Sequence, residues 1–453
     1  MAVTEDRLVH RSRHSITLLV AGLLLWGARV EAQALPKIEG PLTMEQAVVL
    51  SLEHSRKVKA SGADQRVMAS MRGEAFAGFL PQVSANGYLV NQNMRPNVYF
   101  SAGESMARNF QLFGTNRAQD LNLTAMWPIF SGGRTYYGYK AASARAESAT
   151  QMLRGTEVEV AMQARLDYIA SVREQENARV TGELLRQTEE RVRVTREEFE
   201  AGRVARFNVL RDEAELANVI QMDTMARNRA ELALIALKTT LGVDLASPIT
   251  AAEPLQYSQT TISVEEGIRQ AVESHPDVQS AGKQFEAAEA EVRAALGRYL
   301  PEVSATWMYD WQRMRNRDEP FERPEGYSAG LVLTIPLFDG FMRENAVATA
   351  RARRDKAREL LVQARQQVAK EVNQAALMLV AADKNVDASR KGLQQAEEQF
   401  RIAQERFGSG RGIQLEVLDA QSTLTRADFN VVGALADHHS ALAMWLKATG
   451  RVR

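Results

Sequence analysis

From Val303 the chain alternates, with Val303, Ala305, Trp307, Tyr309 and Trp311 at one set of positions and Ser304, Thr306, Asp310 and Gln312 between them. A period of two predicts a strand, because successive side chains leave opposite faces of a pleated backbone. Tyr327, Ala329, Leu331, Leu333 and Ile335, interleaved with Ser328, Gly330 and Thr334, predict its partner. Earlier, Leu121, Leu123, Ala125 and Trp127 against Asn122 and Thr124 predict another such strand. Elsewhere the period changes. Val386, Ser389, Leu393, Ala396, Phe400, Ala403 and Phe407 are spaced alternately by three and four, and Ala178, Thr181, Leu185, Thr188, Val192, Thr195 and Phe199 share that spacing. This heptad predicts a coiled coil. Each heptad lies in a helical stretch of ~65 residues, about 100 Å long at the rise of an α-helix. No compact domain holds such a helix. The seam is small and partly polar and both flanks are charged, which suits the wall of a water-filled tube.

The same patterns occur twice. Phe79-Leu80-Pro81-Gln82-Val83-Ser84-Ala85 returns as Tyr299-Leu300-Pro301-Glu302-Val303-Ser304-Ala305, an offset of 220 residues from Pro81 to Pro301. Pro128-Ile129-Phe130-Ser131-Gly132 returns as Pro336-Leu337-Phe338-Asp339-Gly340, now offset by 208, and that offset persists to Gly202 and Gly410 and to Gly242 and Gly450. A duplicated unit follows: helix, two strands, very long helix, tight turn, long helix. The first repeat spans 35–242 and the second 263–453, joined by a linker, 243–262, that contains Pro248 and Pro254. Pro128 and Pro336 stand at strand ends, where a missing N–H costs the ladder little. Gly132 and Gly340 allow the sharp bend from strand into helix.

Composition narrows the class. Lys plus Arg and Asp plus Glu each number 56, interspersed, so no net field favours nucleic acid. Arg7, Arg11 and Arg13, an apolar run from Ile16 to Trp26, and Ala32-x-Ala34 predict a signal peptide over 1–34. At ~11 residues that run is short of the roughly 20 that span a bilayer as a helix. Cysteine is absent, so neither disulfides nor an acylated N-terminal Cys are expected. If this secreted chain holds to a membrane, strands must do it. An apolar face opposite a polar one is the pattern of a transmembrane barrel, the alternative being strands on a small soluble core. Four strands cannot close a barrel, since closure takes about eight, so several chains would share one. Three chains of two repeats would make a pseudo-six-fold tube.

The doubled motifs Leu-Pro-x-Val-Ser, Pro-[Ile/Leu]-Phe-[Ser/Asp]-Gly and Gly-Arg-x-x-x-x-x-Val-Leu resemble those of the TolC-type outer membrane efflux protein family, over nearly the whole mature chain. The resemblance implies a mainly α fold with a small β part. Long helical hairpins would form a coiled-coil tunnel in the periplasm, and four transmembrane strands per chain would complete a trimeric 12-stranded β-barrel in the outer membrane. It implies an exit duct for a tripartite efflux pump or type I secretion system, a homotrimer that meets outer-membrane lipid and docks a periplasmic adaptor and an inner-membrane transporter. Gly202, Arg203, Gly410 and Arg411 at the helix tips would contact the adaptor. Glu416 and Asp419, three apart on one helix face, would line the periplasmic constriction with Asn208 and Phe407. Gly412 replaces a basic residue that some members use to lock the closed tip.

Other chemistry finds no residues. Gly408-Ser409-Gly410-Arg411-Gly412 lacks the strand before and the Lys-Ser/Thr after that a phosphate loop requires. His438 and His439 are adjacent, so on a helix they diverge by about 100°, and they read as surface polarity. No nucleophile triad or Cys/His cluster is present, so no enzyme, cofactor or metal site is expected. Two alternatives to the duct stand beside it: a periplasmic adaptor, which carries one hairpin within β-rich domains, and a coiled-coil envelope scaffold, which would leave the amphipathic strands without purpose.

Overall fold

The computed structural model describes residues 37–38, 40–90, 115–316 and 325–452. The signal segment 1–34 lies outside the described residues. In chain order the elements are β1 (Gly40–Leu42), α1 (Met44–His54), α2 (Arg56–Ala77), β2 (Gln82–Val90), β3 (Thr115–Phe130), α3 (Arg134–Glu200) and α4 (Arg206–Leu241). There follow β4 (Ile249–Ala251), α5 (Val264–Ser274), α6 (Pro276–Leu296), β5 (Glu302–Asn316), β6 (Glu325–Thr334), α7 (Met342–Gly408) and α8 (Gln414–Ala448). Both long helices, α3 and α7, run for 67 residues.

Local chemistry sets the ends of these elements. Thr43 caps α1 in a reciprocal box with Gln46, each side chain taking the other's backbone N–H. Ser263 caps α5, and His275 caps α6 ahead of Pro276 at its first turn. The hairpin tips turn through Gly202 and Gly410, at φ of 72° and 70°, a left-handed conformation that costs any L side chain energy. At the other ends Gly132 and Gly340 have φ of 63° and 68°. Past Pro128 the β3 ladder continues to Phe130 with an irregularity between them, whereas β6 stops at Thr334 before Pro336.

The hairpins pack as α3 against α4 and α7 against α8, and α6 lies between α3 and α7. Their seams bury Thr181, Thr188, Val192 and Thr195 in the first copy and Val386, Ala396 and Ala403 in the second. The densest apolar clusters lie midway along the helices. Around Tyr168 gather Leu42, Val172, Leu237, Leu241 and Ile249, and around Trp445 gather Val368, Val372, Ala271 and Val278. The Tyr168 hydroxyl donates to the Leu42 carbonyl at 2.9 Å and accepts from the Glu253 amide at 3.2 Å. Two elements there escaped the hydropathy pattern. β1 and β4 form a parallel pair, Gly40 to Ile249 through Leu42 to Ala251, too short to show a period of two.

One reading is corrected. His438 is not surface polarity: it is 0% exposed. Its Nε2 lies 3.1 Å from an Asp383 carboxylate oxygen, and the Tyr257 ring meets it edge-on at 5.0 Å. The cause is tertiary, since the extended segment after β4 lies over α8 and closes that face. His439 holds the Gln256 carbonyl of that segment at 3.0 Å.

Candidate channel site: membrane sheet and helix tips

The four long strands make one antiparallel sheet in the order β2-β3-β5-β6. Register keeps the alternation in phase across it. Ala85, Leu123, Tyr309 and Tyr327 stand in one row, and Val83, Ala125, Trp307 and Ala329 in the next. Since side chains alternate, a slip by one residue in any pair would break this face. The opposite face is polar: Asn86 donates to Asn122 at 3.1 Å, Ser84 to Thr124 at 3.4 Å and Thr306 to the Gly330 carbonyl at 3.5 Å. Val83, Leu89, Leu121, Trp127, Leu331 and Leu333 are all exposed. Among the described residues no helix covers that apolar face, and it joins no soluble core. Among the described residues, neither outer edge, on β2 or on β6, is paired.

At the other end, about 100 Å along the helices, lie the tips. Gly202 and Arg203 close the first hairpin and Gly410 and Arg411 the second, with all four exposed. Exposed Phe207, Leu210, Ile413 and Leu415 flank them. Asn208 and Phe407 line one groove between the hairpins, together with Arg191, Arg211 and Gln421. Glu416 and Asp419 do not line that groove. The Glu416 carboxylate lies 3.7 Å from Arg406 of its own hairpin, and Asp419 is exposed.

Between the hairpins the structure adds a polar network that the motifs did not single out. Asp212 on α4 is 0% exposed. It accepts from the Thr195 hydroxyl at 2.8 Å and from Gln414 of the second hairpin at 3.1 Å, with Arg191 3.7 Å away. Arg191 donates to Gln421 at 2.6 Å, and Gln421 in turn donates to Gln187 at 3.0 Å. Burial pushes the Arg191 guanidinium below its ordinary pKa, and the Asp212 charge opposes that shift. A second buried carboxylate, Asp223, faces Thr181 and pairs with Arg227. A signal existed: the first seam carries threonine at 181, 188 and 195, where the second has Ser389, Ala396 and Ala403. Of these, Thr195 donates to Asp212 and Thr181 to Asp223, the partners a buried carboxylate needs.

An amphipathic sheet with no core of its own, continued by helical hairpins of tunnel length, defines a class: a strand-anchored channel protein of the bacterial outer membrane. A family model described as outer membrane efflux protein matches residues 47–243 and 267–451, and the chain belongs to that family. It is similar to Protein CyaE of Bordetella pertussis, 26% identical over 449 residues, covering 93% of this chain and 89% of that protein. It is also similar to the outer membrane efflux protein BepC of Brucella suis, 24% identical over 439 residues, covering 96% and 90%. Among solved structures, the outer membrane protein VceC of Vibrio cholerae shares the fold at a TM-score of 0.74 and 18% identity, over 90% of this chain and 96% of that one. The CmeC outer membrane channel of Campylobacter jejuni does so at 0.77 and 17%, over 90% and 85%. The protein is therefore an outer-membrane efflux channel with a helical periplasmic part, and the adaptor alternative is not favoured.

Proposed function

We propose that three copies close one twelve-stranded barrel and continue below it as a single helical tunnel, a passive exit duct for a tripartite efflux pump or type I secretion system. The observation that carries this is the four-stranded sheet, which among the described residues is apolar and uncovered on one face and unpaired at both edges. Each backbone group left unpaired in lipid costs several kcal/mol, so the edges of β2 and β6 require strands from other copies. Eight strands would be filled by side chains, whereas twelve leave a lumen.

Two repeats, 35–242 and 263–453 about the linker 243–262, give the tube its pseudo-six-fold wall. The tips at Gly202, Arg203, Gly410 and Arg411 take a periplasmic adaptor, which joins an inner-membrane transporter. Glu416 and Asp419 of three chains, with Asn208 and Phe407 nearby, form the constriction. No cofactor or catalytic step is assigned. Pro128, Gly132, Pro336 and Gly340 bend each strand into its helix.

Fractionation of cells, followed by native mass analysis in detergent and mobility of the unboiled protein on gels, tests the assembly. A trimer in the outer-membrane fraction that forms conducting pores in planar bilayers is expected. A monomer at every protein concentration in detergent overturns the reading.

A further inference from the structure

The charges of the membrane sheet are sorted by face. Along β3, β5 and β6, the positions that share the alternation of Leu121, Trp307 and Leu331 include Arg117, Arg313, Arg315 and Glu325, and the opposite set includes Asp120, Glu302 and Asp310. Among the described strand residues every base therefore stands on the apolar face, and every acid but one on the polar face. The bases also share one end. Register sets Gln119 opposite Arg313 and Arg117 opposite Arg315, in the two rows past Leu121 and Trp311, at the end of the strands away from the helices. Glu325, in the row of Trp311, accepts from the Tyr309 hydroxyl at 3.3 Å. Like charges directly opposed on a sheet repel, so the pairing of Arg117 with Arg315 calls for an anion.

Height identifies the anion. Arg313 and Arg315 stand two and four residues past Trp311 on β5. At about 3.4 Å per residue that is roughly 7 and 14 Å farther along the strand, and roughly 5 and 10 Å higher for a tilt of about 40°. The headgroup layer is about 5–8 Å thick on each side of the hydrocarbon. Tyr309, Trp311 and Tyr327 make the aromatic rows just beneath, residue types that mark a boundary between membrane and water. Resting on the lipid-facing reading of the apolar face, we propose that Arg117, Arg313 and Arg315 form a binding site for the phosphate groups of outer-leaflet lipid, with the Gln119 amide as a neutral donor in the same rows. A guanidinium takes phosphate through two parallel hydrogen bonds, and one phosphate between opposed arginines turns their repulsion into attraction. The acyl chains of that lipid run down the rows below, where Leu121, Leu123 and Leu331 are exposed. A free anion gains nothing from those rows, which commits the site to a lipid.

The test compares lipids on the full-length protein. Native mass analysis in detergent should find bisphosphorylated lipid A retained at least about tenfold more strongly than the same lipid stripped of its phosphates, a factor that one charge-assisted hydrogen bond supplies. The triple variant Arg117→Gln, Arg313→Gln, Arg315→Gln should lose that preference. A control, Arg351→Gln, Arg353→Gln, Arg358→Gln, removes the same charge from exposed positions of α7 and should keep it. Equal retention of the two lipids by the wild-type protein overturns the site, and that comparison needs no variant to fold. Loss of preference in the α7 control overturns it as well, since net charge would then suffice. Displacement of the lipid by millimolar inorganic phosphate would make this a free-anion site and sink the lipid. The two readings fail separately: a protein that enters no phosphatidylethanolamine vesicle contradicts the lipid-facing sheet, whereas one that enters such vesicles and shows no preference for phosphate contradicts the arginine site alone.

Discussion

Gly132 and Gly297 meet backbone to backbone where the sheet passes into the helices: a Cβ on Gly132 would lie 2.2 Å from the Gly297 carbonyl oxygen, and one on Gly297 2.4 Å from that of Gly132. Neither clash can be relieved by a rotamer, because both obstacles are main chain. Gly132→Ala should therefore cost about 3 kcal/mol or more, overpacking against main chain adding to the cost of a left-handed φ. Gly410→Ala has the same sign of φ but nothing within 4 Å, so it should cost only about 1 kcal/mol. Thermal unfolding of the two purified variants checks the contrast, and similar losses would refute it.

The two faces of β6 should answer differently to charge. Leu331 belongs to the exposed apolar row and Thr334 to the polar one. Lysine at Leu331 should impair assembly by roughly 2–4 kcal/mol if it sits at mid-membrane, whereas lysine at Thr334 should be tolerated in a wet lumen. Yield of folded protein in the outer membrane is the readout, and equal sensitivity at both positions would contradict the assignment of faces.

Asp212 is the buried hub between the hairpins, and its removal leaves the Arg191 guanidinium without its nearest counter-charge. Breaking a buried pair from one side costs about 3 kcal/mol or more. Asp212→Ala should therefore speed hydrogen exchange in α4 and at the start of α8 together, since Gln414 loses the same partner. Asp212→Asn removes the same counter-charge but keeps an acceptor for Thr195, so it should cost about 1 kcal/mol less than the alanine variant. Unchanged exchange in the alanine variant would show that the network holds nothing.

For the constriction, the double variant Glu416→Gln, Asp419→Asn should weaken cation preference and block by trivalent cations in single-channel recordings, because rings of carboxylates select cations. Stability should hardly change, both groups being exposed. Arg406 lies 3.7 Å from Glu416 and offsets part of its charge. Arg406→Ala should then sharpen cation preference, and a drop in that preference would count against the assignment.

Burial holds His439 below its ordinary pKa of 6.5, opposed by the Gln256 carbonyl and reinforced by His438. A depressed folded value means that the unfolded chain takes up the proton first. The stability this site contributes is complete above 6.5 and is lost as pH falls through the folded value. Limited proteolysis of the segment after β4 should therefore quicken between neutral pH and pH values well below 6.5, and His439→Gln should flatten that dependence. A variant with the wild-type profile would place the effect elsewhere.

The duplication, the 67-residue helices, the tip glycines and the two-faced strands were all legible in the sequence, because each follows from local periodicity or from a backbone angle that one residue type accepts. Heptads declare a helix seam and alternation declares a strand whatever lies beyond them. The burial of His438 and the parallel pairing of β1 with β4 were decided by tertiary structure alone, and the Asp212 network, of which the seam threonines gave only a hint, was completed by it. Each joins residues far apart in the chain: Asp383 to His438, Gly40 to Ile249, Asp212 to Gln414. A polar residue on a helix looks the same in sequence whether it meets water or a partner, and only the element laid over it settles which. Register across the sheet belongs to the same class, since alternation shows that a strand has two faces but not which residue stands opposite which.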